Sequence, residues 1–227
     1  MITTQDQQRI SAAITEAEAK TQGEIFCVLT HEVSRYREVP LAWAAIAALA
    51  GPPLLVLAGL HRLALSSIFT SWTDDSARAM EGLILRGLST YSLLQAGLFV
   101  AVALVVSLPR VRRFMTPGFL KAHRVRRMAR HHFAAAGARL SHSEPHILIY
   151  ASLRDRRVEL VAHDAIHKLV GEGPWNAAVA AVSNGMKNGR PADGFVEAIN
   201  ICGAALATHF PPDGPSKNRF SNDILLT

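Results

Sequence analysis

The stretch VPLAWAAIAALAGPPLLVLAGL, Val39–Leu60, holds no Asp, Glu, Lys, Arg or His, and neither does GLSTYSLLQAGLFVAVALVVSLP, Gly87–Pro109. Each reaches the roughly 20 residues that an α-helix needs to cross about 30 Å of hydrocarbon. Helices of water-soluble domains keep a charged face, and these two have none. The pair predicts a transmembrane hairpin over 39–109, with spans at 39–60 and 87–109 and an outer loop at 61–86. Gly51, Pro52 and Pro53 lie near the middle of the first span, where a kink or break is expected. Neither span carries an ionisable group of the kind that handles a substrate or proton inside a membrane. In the outer loop, the apolar patch Leu63–Trp72 fits the far interface, and a short helix is expected from Asp75 onward.

The formal charge of +6 and pI near 9.8 would suggest nucleic acid if the basic residues covered a soluble surface. Instead Arg110, Arg112, Arg113, Lys121, Arg124, Arg126, Arg127 and Arg130 crowd the segment after the second span, while Arg62, Arg78 and Arg86 mix with Asp74, Asp75 and Glu81 between the spans. By the positive-inside rule the basic flank stays cytoplasmic. The expectation is an integral membrane protein, N-in and C-in, with this basic patch against anionic headgroups and no nucleic-acid partner. The opening MITTQDQQRISAAITEAEAK has neither a basic n-region nor an apolar h-region, so no cleavable signal is read there.

Outside the hairpin the chain reads as one α/β domain in two pieces, 1–38 and 110–211, followed by a disordered tail at 212–227. Thr4 and Gln7 fit a capping box, and Ile10, Ala13, Ile14 and Ala17 give a first helix ending near Gly23. Glu24–Thr30, EIFCVLT, reads as a central strand. Thr116 and Pro117 cap a basic helix running to about Ala136. PHILIYAS, Pro145–Ser152, and RVELVAH, Arg157–His163, read as a strand, a charged turn and a more exposed strand. Pro174 opens a helix with Trp175, Ala178, Val179, Val182 and Met186 on one stripe, and Pro191 opens another with Phe195, Ile199, Cys202, Leu206 and Phe210. Cys27 and Cys202 lack any metal-type spacing and read as buried, reduced thiols. The strands share one small mixed sheet sandwiched by helices.

This order of elements, with GEIFCVLT, HILIYASLRDRRVELVAHDAI, the tryptophan of GPWNAAV and the closing AINICGAALATHFP, resembles the TPM-domain family in its bacterial membrane-associated branch. The resemblance covers Thr4–Thr30 and Met128–Pro211. It implies an α/β sandwich and a family in which divalent-metal binding and weak acid-phosphatase activity are attributed to some members. The soluble members continue the second hairpin strand into a G-x-G-x-E-G turn, whereas this chain reads AHDAIHKLVGEGPW. Asp164 keeps the place of an acidic residue there; the glycines are missing.

Three candidate chemistries follow. His163, Asp164 and His167 spell H-D-x-x-H, but a zinc pair needs both imidazoles on one helix face; His163 ends a strand, and Asp164 suits an N-cap. Asp164, Glu159 and Glu172 are the candidate oxygen ligands for Ca²⁺ or Mg²⁺, the alternative being a helix cap and solvated acids. Ser152, Arg154, Asp155 and Arg156 share a turn that could serve phosphate chemistry or simply be solvated. No P-loop, nucleophile elbow or dinucleotide fingerprint occurs. Catalytic residues stay unassigned. Two functions stay open: a non-catalytic module that binds a membrane or cytoplasmic protein partner or assembles a membrane complex, and a membrane-anchored, metal-assisted phosphatase.

Overall fold

The computed structural model describes residues 2–33, 36–58, 76–138, 145–212 and 222–226. The chain divides into two compact units: Met1–Arg35 with Gly118–Thr227, and Tyr36–Pro117.

The first unit is built on a four-stranded mixed sheet. Its strands are β1 (Glu24–Thr30), β2 (His146–Ser152), β3 (Arg157–Ala162) and β4 (Leu225–Leu226), in the order β3-β2-β1-β4. β1 runs parallel to β2 from Glu24↔His146 to Thr30↔Ser152, and β2 runs antiparallel to β3. The two apolar strands, β1 and β2, are interior because both their faces are covered. β4 corrects the expectation of a disordered tail over 222–226: Val28 pairs with Leu225 and Leu29 with Leu226. Ile224 enters the main core, and Asn222 Nδ2 donates to Thr15 Oγ1 at 2.7 Å. The remaining part of that expectation, 213–221, lies outside the described residues.

Helix α1 (Thr4–Glu18) starts one residue earlier in its cap than the sequence suggests. Thr3 is the N-cap: Asp6 N donates to its hydroxyl at 3.1 Å, and Asp6 Oδ2 accepts from Thr3 N at 2.9 Å. The Asp6 carboxylate completes the reciprocal box and complements the helix dipole, which the neutral Gln7 cannot do. On the far side of the hairpin come α5 (Gly118–Gly137), α6 (Asp164–Val170), α7 (Gly173–Lys187) and α8 (Pro191–His209). One sheet face and α1, α6, α7 and α8 share a core containing Ile10, Ile14, Ile25, Ile147, Ile149, Trp175, Phe195 and Ile199. The opposite face, with Val28, Leu148 and Tyr150, packs against Val125 and Ala129 of α5. The result is an α/β sandwich of three layers.

Helices α7 and α8 meet through glycine. A Cβ at Gly185 would come 2.8 Å from Gly194 Cα, and one at Gly194 would come 2.7 Å from Ala181 O. Cys27 and Cys202 are both free and buried, and burial pushes the Cys202 thiol up to about 12.

The second unit holds α2 (Glu38–Leu57), α3 (Ser76–Ser107) and α4 (Pro109–Met115). Helix α2 continues through Pro52 and Pro53 to Leu57, so the expected break does not occur within the described helix. The segment expected as a separate short helix joins α3, one continuous element from Ser76; 61–75, with Trp72, lies outside the described residues. Leu98 sits over Gly51, where a Cβ would come 2.5 Å from Leu98 Cδ2. Trp43 Nε1 donates to Met115 O at 3.0 Å. The basic helix expected from Thr116 and Pro117 begins at Gly118, and Thr116 instead ends the short helix α4, taking the extended conformation (φ −78°, ψ 117°) that a following proline imposes.

Glu18 gives a test of the core. Its side chain is buried, and Oε1 accepts from Ile25 N at 2.8 Å. Burial raises its pKa from the usual 4.5 to about 7. The folded protein therefore binds the proton more tightly than the unfolded chain. Stability from this group is full below pH 4.5 and is lost as pH rises through about 7. Glu18→Gln keeps an acceptor for Ile25 N without the charge. Thermal melts of the full chain in detergent should show the variant equal to wild type near pH 4.5 and more stable at pH 8, by on the order of 2 kcal/mol.

Candidate binding cleft

Among the described residues β3 is an edge strand, and its register decides which backbone groups it offers. Tyr150 pairs with Glu159 and Leu148 with Val161, and His163 N donates to His146 O at 3.1 Å. Backbone bonding alternates along an antiparallel ladder. Arg157, Glu159 and Val161 thus bond to β2, while Val158, Leu160 and Ala162 turn their N–H and C=O groups to the open edge. The same three residues put their side chains into the main core face, and Glu159 and Val161 face α5.

A cleft of about 380 Å³ runs along this edge. Arg126 of α5 walls one side; Trp175, Asn176 and Val179 of α7 wall the other, and His167 of α6 and Glu172 complete it. Arg126 Nε donates to Glu159 Oε1 at 2.8 Å. Trp175 is 5 % exposed, and its indole Nε1 is buried with no hydrogen-bond partner among the described residues. A buried donor left this way costs about 1–3 kcal/mol. Glu172 is exposed on the cleft rim, at the start of α7.

Of the three candidate metal ligands, the structure brings Glu159 and Glu172 to one cleft and leaves Asp164 off its walls. Asp164 is the first residue of α6, not its cap. His163 takes that role, its Nδ1 accepting from Ala165 N at 3.3 Å. The imidazole can do so because His163 keeps extended backbone (φ −61°, ψ 143°) as the chain leaves β3. A hard divalent cation needs several oxygens converging on one point. Here the Glu159 carboxylate is bonded to a guanidinium, and the described residues hold no group of three or more His, Cys, Asp or Glu arranged for a metal ion. Among the described residues the three acids are thus not gathered at one point, and His163 serves as a helix cap while His167 lines the cleft.

The charged turn is used within the fold. Ser152 is fully buried and its hydroxyl donates to Asp155 Oδ2 at 2.9 Å. Arg154 pairs with Glu32 at 2.5 Å, and its backbone N donates to His31 O. This ties the β2–β3 turn to the end of β1. The basic patch divides between units: Arg110, Arg112 and Arg113 are on α4, and Lys121, Arg124, Arg126, Arg127 and Arg130 are on α5. Arg126 belongs to the cleft.

Sequence reasoning missed an aromatic and imidazole cluster under α5. Phe133 stacks on His146 with centroids 4.4 Å apart, His146 lies 5.5 Å from His163, and His132 lies 5.5 Å from Tyr150. Burial, with His131 adding to it, holds the His132 imidazole below the usual histidine value. The only advance signal is H-H-F at 131–133 on a helix otherwise read for its arginines.

Among solved structures, the chain is similar to the BA42 protein from the psychrophilic bacteria Bizionia argentinensis sp. nov., determined by NMR. The TM-score is 0.54 at 17 % sequence identity, over 100 % of this chain and 96 % of that one. At that identity the likeness concerns the fold alone. No family model matches the chain, and no curated protein matches it.

The Arg126–Glu159 pair has side chains 59 % and 25 % exposed. A double-mutant cycle with Arg126→Ala and Glu159→Ala should return a coupling of about 0.5–1 kcal/mol that shrinks as salt is raised. A larger, salt-insensitive coupling would mean the pair is shielded from solvent.

Proposed function

We propose that this chain is a membrane-anchored member of the TPM-domain family whose α/β unit binds a protein partner and performs no turnover of its own. The reading is carried by one observation, the outward display of apolar side chains on the two long helices. Glu38–Leu55 and Leu85–Ser107 are long and apolar enough to cross a membrane, yet only 28 % and 6 % of these windows is buried. A core helix of a soluble protein would be mostly covered. Leu49, Leu93 and Leu104 stand more than half exposed, and hydrocarbon is the environment in which such surface is stable.

Two spans return the chain to its starting side, which suits a sheet whose strands come from before and after the hairpin. With the basic residues of α4 and α5 retained by the positive-inside rule, both termini face the cytoplasm of a bacterial inner membrane, and those residues, Arg126 of the cleft apart, meet anionic headgroups. The binding reading is supported by the open edge of β3, and by a turn whose Ser152, Asp155 and Arg154 are engaged with neighbours in the fold.

The full chain should stay in the membrane pellet after alkaline carbonate extraction, and a reporter fused after Thr227 should be active only in the cytoplasm. Release by carbonate would defeat the anchored reading, and activity only outside the cytoplasm would defeat the topology. Turnover of a phosphomonoester with Mg²⁺ or Ca²⁺ that disappears in Asp164→Ala would replace the binding module with the phosphatase.

A further inference from the structure

Helices of both layers overhang the edge of β3: Arg126 comes from α5 on one face, and Trp175, Asn176 and Val179 come from α7 on the other. The cleft between them lies where one more strand of the sheet would lie. Its volume of about 380 Å³ falls within the roughly 300–1,000 Å³ of binding pockets.

Three features specify the occupant. The N–H and C=O groups of Val158, Leu160 and Ala162 face the cleft in a row, spaced two residues apart, and a polypeptide backbone matches that alternation. The Trp175 indole Nε1, on a residue 5 % exposed, has no acceptor among the described residues, and a backbone carbonyl is an acceptor. The ionisable groups on the walls are Arg126, Glu159, His167 and Glu172, and with histidine counted neutral the formal charges are those of Arg126, Glu159 and Glu172. Arg126 and Glu159 neutralise each other at 2.8 Å, while Glu172 has no ion pair among the described residues. The cleft is therefore acidic by one carboxylate at its α7 end.

We propose that this cleft takes an extended, lysine- or arginine-bearing segment of a partner protein, which adds to the sheet as a strand beside β3 with its cation at Glu172. The proposal rests on the binding-module reading and names the partner's chemistry.

The test uses the full chain in phosphatidylcholine nanodiscs and a fluorescently labelled probe peptide, Val-Lys-Val-Thr-Val, blocked at its C-terminus. Anisotropy follows binding, and the Trp175 indole N–H resonance, assigned by its loss in Trp175→Phe, follows the site. Saturable binding should shift that resonance. Replacing the peptide lysine with glutamate should weaken binding about tenfold, as should Trp175→Phe. N-methylation of alternate residues should abolish binding in one phase and spare it in the other, because only every second amide of an added strand faces β3. Glu172→Lys, at an exposed position whose side chain makes no cap bond, should reverse the preference between the lysine and glutamate peptides.

No saturable binding, or binding indifferent to both N-methylation phases and to Glu172→Lys, overturns the proposal. So does protection of the Val158, Leu160 and Ala162 amides that rises with protein concentration alone, which would assign the edge to a second copy. Carbonate extraction of the same variants separates the two levels. Loss of peptide binding in a protein that stays in the membrane rejects the strand-addition site and leaves the anchored module standing.

Discussion

The parallel register between β1 and β2 is the constraint on which the rest of the first unit depends. Seven consecutive pairs, Glu24↔His146 through Thr30↔Ser152, join a strand made before the apolar hairpin to one made after it. Both strands are apolar on both faces, so each needs helices above and below as well as a neighbour at each edge. That requirement recruits α1, α7 and α8 to one face, α5 to the other and β4 to the outer edge of β1. An inserted segment is compatible with this register only if it brings the chain back to the side from which it left.

The helices and strands legible in the sequence are those whose side-chain period is strong. EIFCVLT and HILIYAS announce themselves as buried strands, and Phe195, Ile199, Cys202 and Leu206 lie on one helix stripe that is wholly buried. Boundaries were harder. Thr3 and Thr4 are chemically alike, and the choice between them depends on Asp6 lying three residues after the first. β4 was illegible because two pairing residues carry no period, and only the neighbouring Ile224 hints that the segment is buried.

The cleft shows the same division. Glu159 and Glu172 could be named from the sequence as acids near one another, since a hairpin strand and the next helix start are close in the chain. Their surroundings could not. Arg126 lies 33 residues before Glu159, on a helix whose arginines all look alike in one dimension. Only the face of α5 that buries Val125 and Ala129 decides which arginine reaches the sheet. Likewise Trp175 reads as one more core aromatic, and its unsatisfied indole N–H is visible only once every neighbouring acceptor is placed.

β4 also bears on the order of synthesis. Val28 leaves the ribosome early, but its partner Leu225 follows only after the hairpin and α5 through α8 have been made. Through that interval one edge of the central strand stays open, and a bare strand edge is a template for wrong pairing. The two long apolar helices are made during the same interval. Translation speed through the 76–210 segment and access to holding chaperones therefore act on how much of this chain reaches its folded state, through a contact of only two residue pairs.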